Sequence, residues 1–169
     1  ETEEIPDYFR QGRVQTCYEG LAKSNVDGVF DHLINDYGTV RSPNGWQWDD
    51  TIYDLGLRLS DIAHQDQVIQ CHGVDDIRRA HEEGKTAFVP SIEGTAMIEN
   101  ELDRIDILYG LGIKMMGLAF DYSNYIASGI IDNDESRDRG LSTFGEDVIE
   151  RMNKLGVAID LCHSTDQTA

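Results

Sequence analysis

Apolar residues at Trp48, Ile52, Leu55, Leu59 and Ile62 recur at spacings of 4, 3, 4 and 3, which predicts a helix that buries one face. The Arg41-Ser42-Pro43-Asn44-Gly45 segment before it reads as a loop, because Pro and Asn-Gly break regular structure. A shorter helix is predicted over 75–83, with Asp75 and Asp76 at its start and Gly84 to stop it. From there a unit repeats three times: a helical stretch ends at a glycine and an apolar run follows. The units are Gly84 then Thr86 to Ile92, Gly112 then Ile113 to Leu118, and Gly156 then Val157 to Leu161. Ile98, Leu102, Ile105 and Tyr109 form the apolar stripe of the helix before the second run, and Val148, Met152 and Leu155 that of the helix before the third. Thr143-Phe144-Gly145-Glu146 reads as a capping box that starts the last helix near Ser142.

An earlier apolar run, Val26 to Phe30, brings the reading to four strands alternating with helices. Such alternation predicts βα units and an α/β fold with a parallel sheet. Runs such as Val157-Ala158-Ile159 show no alternation of apolar and polar positions, as expected of strands covered on both faces. Pro90 cannot donate to a ladder, so a bulge or early end is expected within the second run.

Charge narrows the partners. With 14 Lys plus Arg against 32 Asp plus Glu in 169 residues, the chain carries a formal charge of −18. A surface this acidic repels phosphate backbones and anionic headgroups, which argues against unaided nucleic-acid or membrane-surface binding and leaves metal ions and cationic or zwitterionic small molecules. The 40% hydrophobic content is that of a globular chain, and the length suits one domain of roughly 100 to 200 residues. No apolar run approaches the ~20 residues of a membrane span. Cys17, Cys71 and Cys162 are an odd number with no Cys-x-x-Cys pair, so neither a disulfide framework nor a zinc knuckle is expected, and a reducing, cytoplasmic location fits best. The first residue is Glu1, not Met, so a removed signal peptide would leave no trace.

In parallel α/β folds ligands collect where strands end. Beyond the four runs lie Asp31-His32, then Glu93-Gly94-Thr95, then Asp121-Tyr122-Ser123-Asn124, and Cys162-His163-Ser164. A glutamate and a histidine at two such ends suggest a metal site, since carboxylate and imidazole together suit zinc or a similar ion. If the last three strands are neighbours at about 4.8 Å spacing, the strands bearing Glu93 and His163 lie about 10 Å apart, within reach of two inward side chains. Paired metals roughly 3.5 to 4 Å apart with a shared carboxylate would suit that span, Glu93 being the shared group.

Four segments carry a family resemblance: Asp76-Ile77 with Gly84-Lys85, Ser91-Ile92-Glu93-Gly94, Gly140-Leu141-Ser142-Thr143-Phe144-Gly145, and Met152 through Ser164 (Met-Asn-Lys-Leu-Gly-Val-Ala-Ile-Asp-Leu-Cys-His-Ser). Together they resemble the renal, or membrane, dipeptidase family of binuclear zinc hydrolases over a little more than half the chain. The resemblance implies a (β/α)8 barrel of the metal-dependent hydrolase type, with Glu93 bridging two zinc ions, His163 binding one of them, and Asn124 helping to hold substrate. It further implies hydrolysis of a dipeptide by a metal-activated water. A barrel of this type takes about 250 residues, so residues 1–169 are read as one partial barrel domain, about half of the whole. A homo-oligomer is a further expectation. There are departures. Nothing before Val26 matches the family's His-x-Asp pair, Glu93-Gly94-Thr95 replaces Glu-Gly-Gly, and Phe120-Asp121 stands where renal relatives carry a histidine. The second metal histidine, the substrate arginine and the catalytic aspartate of the relatives have no match here.

Bland readings stand beside these. Without its flanking segments His163 would be an ordinary strand-end histidine and Glu93 a surface turn carboxylate. Asp160 falls on the opposite strand face from His163 if alternation holds, which favours a supporting hydrogen bond over ligation. His32, His64, His72 and His81 read as structural or solvated, and Cys71 and Cys162 as inert thiols. Asp132-Asn133-Asp134-Glu135 lacks the spaced ligands of a calcium loop and reads as solvated. Two rivals to the dipeptidase remain: a non-catalytic barrel remnant or binding module, and a metal-dependent hydrolase of lactams, lactones or phosphoesters, the latter motivated by Phe120-Asp121.

Overall fold

The structure, a computed structural model, describes residues 17–33, 47–132, 134 and 136–169. Five strands form one sheet: β1 (Gly28–Leu33), β2 (Val68–Gln70), β3 (Thr86–Ile92), β4 (Met115–Gly117) and β5 (Ala158–Asp160). All their pairings are parallel, in the order β1-β3-β4-β5, with β2 also against β3. Between them lie α1 (Trp48–Ala63), α2 (Val74–Glu82), α3 (Asp103–Gly110) and α4 (Thr143–Leu155). This is the α/β parallel architecture expected, with one strand more than the periodicity showed. At three residues, β2 is too short to display a period.

Pro90 occupies an informative place. β3 runs through it without a bulge, contrary to expectation. On one side of β3 the neighbour changes at this point: β2 pairs as far as Phe88, and β4 begins at Ser91. The Cys71 N–H donates to the Phe88 carbonyl (2.8 Å) and the Lys114 N–H to the Pro90 carbonyl (3.2 Å), so Pro90's missing donor falls in the gap between the two neighbours.

β3 separates two packed layers. Phe88 and Ile92 lie on one face: Phe88 meets Tyr18, Ile62 and Val68, and Ile92 joins Leu55, Ile105, Leu108, Met116, Val148 and Met152 from α1, α3, β4 and α4. Ala87 and Val89, of opposite parity, pack with Ile77 and Ala80 of α2. The predicted α1 stripe is the observed one, with Leu55 and Ile62 buried and Trp48, Ile52 and Leu59 packed on the core. Two details differ from the expected helices. Ile98 belongs to a separate 3-10 turn (Ala96–Ile98), and α3 starts only at Asp103. α4 starts near Ser142 as expected, but the capping side chain is Ser142 and not Thr143: the Ser142 hydroxyl accepts the Gly145 N–H (2.9 Å). At its other end Gly156 takes the left-handed conformation (φ 73°) that closes helices. The Arg41 to Gly45 loop lies outside the described residues.

Candidate metal centre

Glu93 follows directly on β3, and two contacts hold the turn that carries it. Thr95, fully buried, donates its hydroxyl to the Leu118 carbonyl just past β4 (2.9 Å). Gly117 lies flat against the Glu93 backbone, and a Cβ there would be driven into the Glu93 carbonyl oxygen, so only glycine permits this approach. His163 lies three residues beyond β5 and has φ 63°, a left-handed conformation unusual for a side-chain-bearing residue. Since β4 lies between β3 and β5, the two side chains converge across one intervening strand.

They meet. His163 Nε2 is 3.5 Å from Glu93 Oε1, with the side chains 33% and 21% exposed, enough for a small ligand to reach them. On its other edge, His163 Nδ1 is 3.7 Å from Asp121 Oδ1. Phe120 packs its ring against the imidazole, with centroids 4.3 Å apart and planes tilted by 40°. The sequence marks Asp121 as a member of the strand-end set after β4 and of the Phe120-Asp121 departure from the family pattern, but not as a neighbour of His163, because the loop path that aims it there has no local signature.

Asn124 is engaged within its own loop. Its amide donates to the Leu118 carbonyl (2.9 Å), and its side-chain oxygen accepts from the Ile126 (2.7 Å) and Ala127 (3.0 Å) N–H groups. Asp160 accepts the Cys162 N–H at 2.9 Å. The hydrogen bond and charge of Asp160, together with the Glu93 charge, push the Cys162 thiol above its ordinary pKa, which keeps it in the unreactive form. Asp31 pairs with Arg58 (2.9 Å), and burial, opposed by Arg58 and His32, raises its carboxyl pKa. His64 bonds to the Ser60 carbonyl and His81 to Asp27. In the acidic run, Asp132 bonds to Ser123 and Asp134 to Ser136.

The donors fit zinc chemically and in spacing. Two ligands about 2.1 Å from one tetrahedral ion lie about 3.4 Å from each other, close to the observed Glu93–His163 separation. Zinc takes four ligands, and among the described residues no group of three or more His, Cys, Asp or Glu is arranged to hold an ion. Two donors would supply at most half of such a shell.

A parallel βα sheet that brings a carboxylate and an imidazole together past its strand ends places them where ligands of α/β folds collect. The family model described as membrane dipeptidase (peptidase family M19) matches residues 50–169, and the chain belongs to that family. It is 29% identical over 115 residues to the dipeptidase tcpJ of Claviceps purpurea, covering 68% of this chain and 26% of that protein. An amidohydrolase from Pseudomonas aeruginosa superposes with a TM-score of 0.77 at 22% identity, covering 91% of this chain and 44% of that one. A metallo peptidase from Rhodobacter sphaeroides, solved with a phosphinate mimic of the dipeptide L-Ala-D-Ala, gives 0.65 at 19%, covering 72% and 36%. The chain thus spans about a quarter of the length of that curated relative and less than half of these solved chains. None of the helices among the described residues is long and apolar enough to cross a membrane.

Proposed function

We propose that this chain carries part of the active centre of a zinc-dependent dipeptidase, with Glu93 and His163 as metal ligands and Glu93 shared between two ions. The 3.5 Å separation between a carboxylate oxygen and an imidazole nitrogen supports this reading. When bound, zinc supplies Lewis-acid activation of water near neutral pH. The chain's own residues orient the site. Gly117 and Thr95 fix the turn that aims Glu93, and Phe120 fixes the plane of the His163 ring. Asn124, with one amide N–H committed to Leu118, would meet substrate through its second. A dipeptide suits the family, and the Rhodobacter sphaeroides relative was solved with a dipeptide mimic. The strongly acidic surface favours a zwitterionic substrate over a polyanion.

The test is zinc affinity, measured by chelator competition, together with dipeptide turnover for the wild type, Glu93→Gln and His163→Ala. Loss of outer hydrogen-bond partners alone costs about 10- to 100-fold in metal affinity, so loss of a direct ligand is expected to cost about 100-fold or more. Variants that bind zinc and turn over dipeptides like the wild type would overturn the assignment. Phe120 and Asp121, standing where renal relatives carry histidine, favour one second reading, a different hydrolysable bond. Lactams, lactones and phosphoesters assayed beside the dipeptides decide between the two.

A further inference from the structure

We propose that Asp121 is a positioning residue for His163, fixing its proton on Nδ1 so that Nε2 faces Glu93 as a free donor. This rests on the metal-ligand reading above. The imidazole stands between two carboxylates, Glu93 at Nε2 (3.5 Å) and Asp121 at Nδ1 (3.7 Å). A neutral ring has one proton to place. In the metal-free chain the two carboxylates compete for it; were Nε2 and Glu93 to hold an ion, His163 would keep its proton on Nδ1, facing Asp121. A metal-binding histidine whose other N–H points at a carboxylate is held in one tautomer and one orientation and is a more basic ligand.

The backbone around Asp121 is built to hold this geometry. The Phe120 and Asp121 carbonyls accept the N–H groups of Ile130 (3.3 Å) and Ile131 (2.9 Å). Gly129, next to those donors, forms an antiparallel bridge with Ser164, the residue after His163. The Thr165 N–H donates to the Ser128 carbonyl (3.4 Å). One strip, residues 128–131, therefore braces the turn that carries Asp121 and the turn that carries His163. Phe120 against the imidazole fixes the ring plane while Asp121 addresses its edge.

Side-chain nitrogen NMR of ¹⁵N-histidine-labelled chain, at a pH where the imidazole is neutral, reads the tautomer directly. In metal-free protein, Glu93→Gln leaves Asp121 as the remaining facing carboxylate, and the Nδ1–H form is expected to dominate. Asp121→Asn leaves Glu93, and the Nε2–H form is expected. In zinc titrations Asp121→Ala should weaken binding about 10- to 100-fold, with Asp121→Glu restoring most of it. Circular dichroism of each variant checks that the fold persists. Nε2–H dominance in Glu93→Gln, or wild-type zinc affinity in Asp121→Ala, would overturn the role of Asp121. A wild-type chain that takes up no zinc overturns the metal reading instead, and the metal-free tautomer arm still decides whether Asp121 directs the proton.

Discussion

His163 has a positive φ (63°), shared among described side-chain-bearing residues only with Glu99 (φ 54°). For most L residues that conformation costs about 1–2 kcal/mol relative to the right-handed one. It persists where surroundings enforce it, and such strain concentrates at functional sites. Here the Gly129–Ser164 bridge and the Phe120 contact enforce it. Glycine has no penalty at this φ, so His163→Gly should be more stable than His163→Ala by about 1 kcal/mol in urea unfolding, although both lose the imidazole. Equal stabilities would show that the backbone there is unstrained. Glu93 and His163 could be picked from sequence because each follows an apolar run, and parallel sheets put ligands at strand ends. Asp121 could not be chosen over Tyr122, Ser123 or Asn124, since which of them reaches the imidazole depends on how the loop folds against residues 128–131. Asn124, matched by family resemblance, is bonded at both ends of its amide to its own loop, a commitment made by the turn geometry.

Elements were legible where a local signal marked them. The three glycines read as helix-to-strand punctuation, Gly84, Gly112 and Gly156, all have positive φ (66°, 101° and 73°). The 86–92 strand has the expected bounds. What escaped was set by distant partners: β2 exists as a strand because β3 offers it an edge, and Pro90 is accommodated because two neighbours leave a gap beside it. The connection from β4 to α4 is likewise held from afar. Asp138, 7% exposed, accepts the Thr165 hydroxyl (2.7 Å) and the Gly140 N–H (2.9 Å), tying that connection to the segment after β5. Burial alone would raise the Asp138 carboxyl, but hydrogen bonds from Thr165, Gly140, Gln167 and Ser128 outweigh it and leave its pKa below the ordinary value. A carboxyl depressed on folding contributes stability that is present above its unfolded pKa, about 3.9, and is lost as pH falls through its lower folded value. Asp138→Asn should therefore unfold at lower urea than the wild type at pH 7 and pH 5, with the gap closing below about pH 4. A gap of constant size across that range would mean that the carboxylate's charge contributes nothing to the anchor.

Across the whole molecule, charge of one sign dominates: 32 acidic residues against 14 basic ones. Several ion pairs relieve this locally, among them Arg78–Asp75, Arg79–Asp76 and Lys154–Glu150, at 2.6 to 3.0 Å. All three are one-turn pairs on helix surfaces, and exposed pairs of this kind contribute about 0.3–0.5 kcal/mol each. Salt acts on both contributions in opposite directions. Screening weakens the few attractive pairs but also relieves the repulsion among 18 uncompensated negative charges, and the Debye length shrinks from about 10 Å at 0.1 M to about 3 Å at 1 M. Repulsion summed over the excess charge outweighs a handful of weak pairs, so thermal stability should rise with sodium chloride between about 0.1 and 1 M. Each kcal/mol of relieved repulsion should raise Tm by about 2–4 °C for a chain of this length. Scanning calorimetry over that salt range, with Lys154→Gln as a control lacking one attractive pair, separates the contributions. If repulsion governs, the variant shows a slightly steeper rise than the wild type; a Tm that falls with salt would mean that local pairs, not net charge, set the electrostatic stability of the chain.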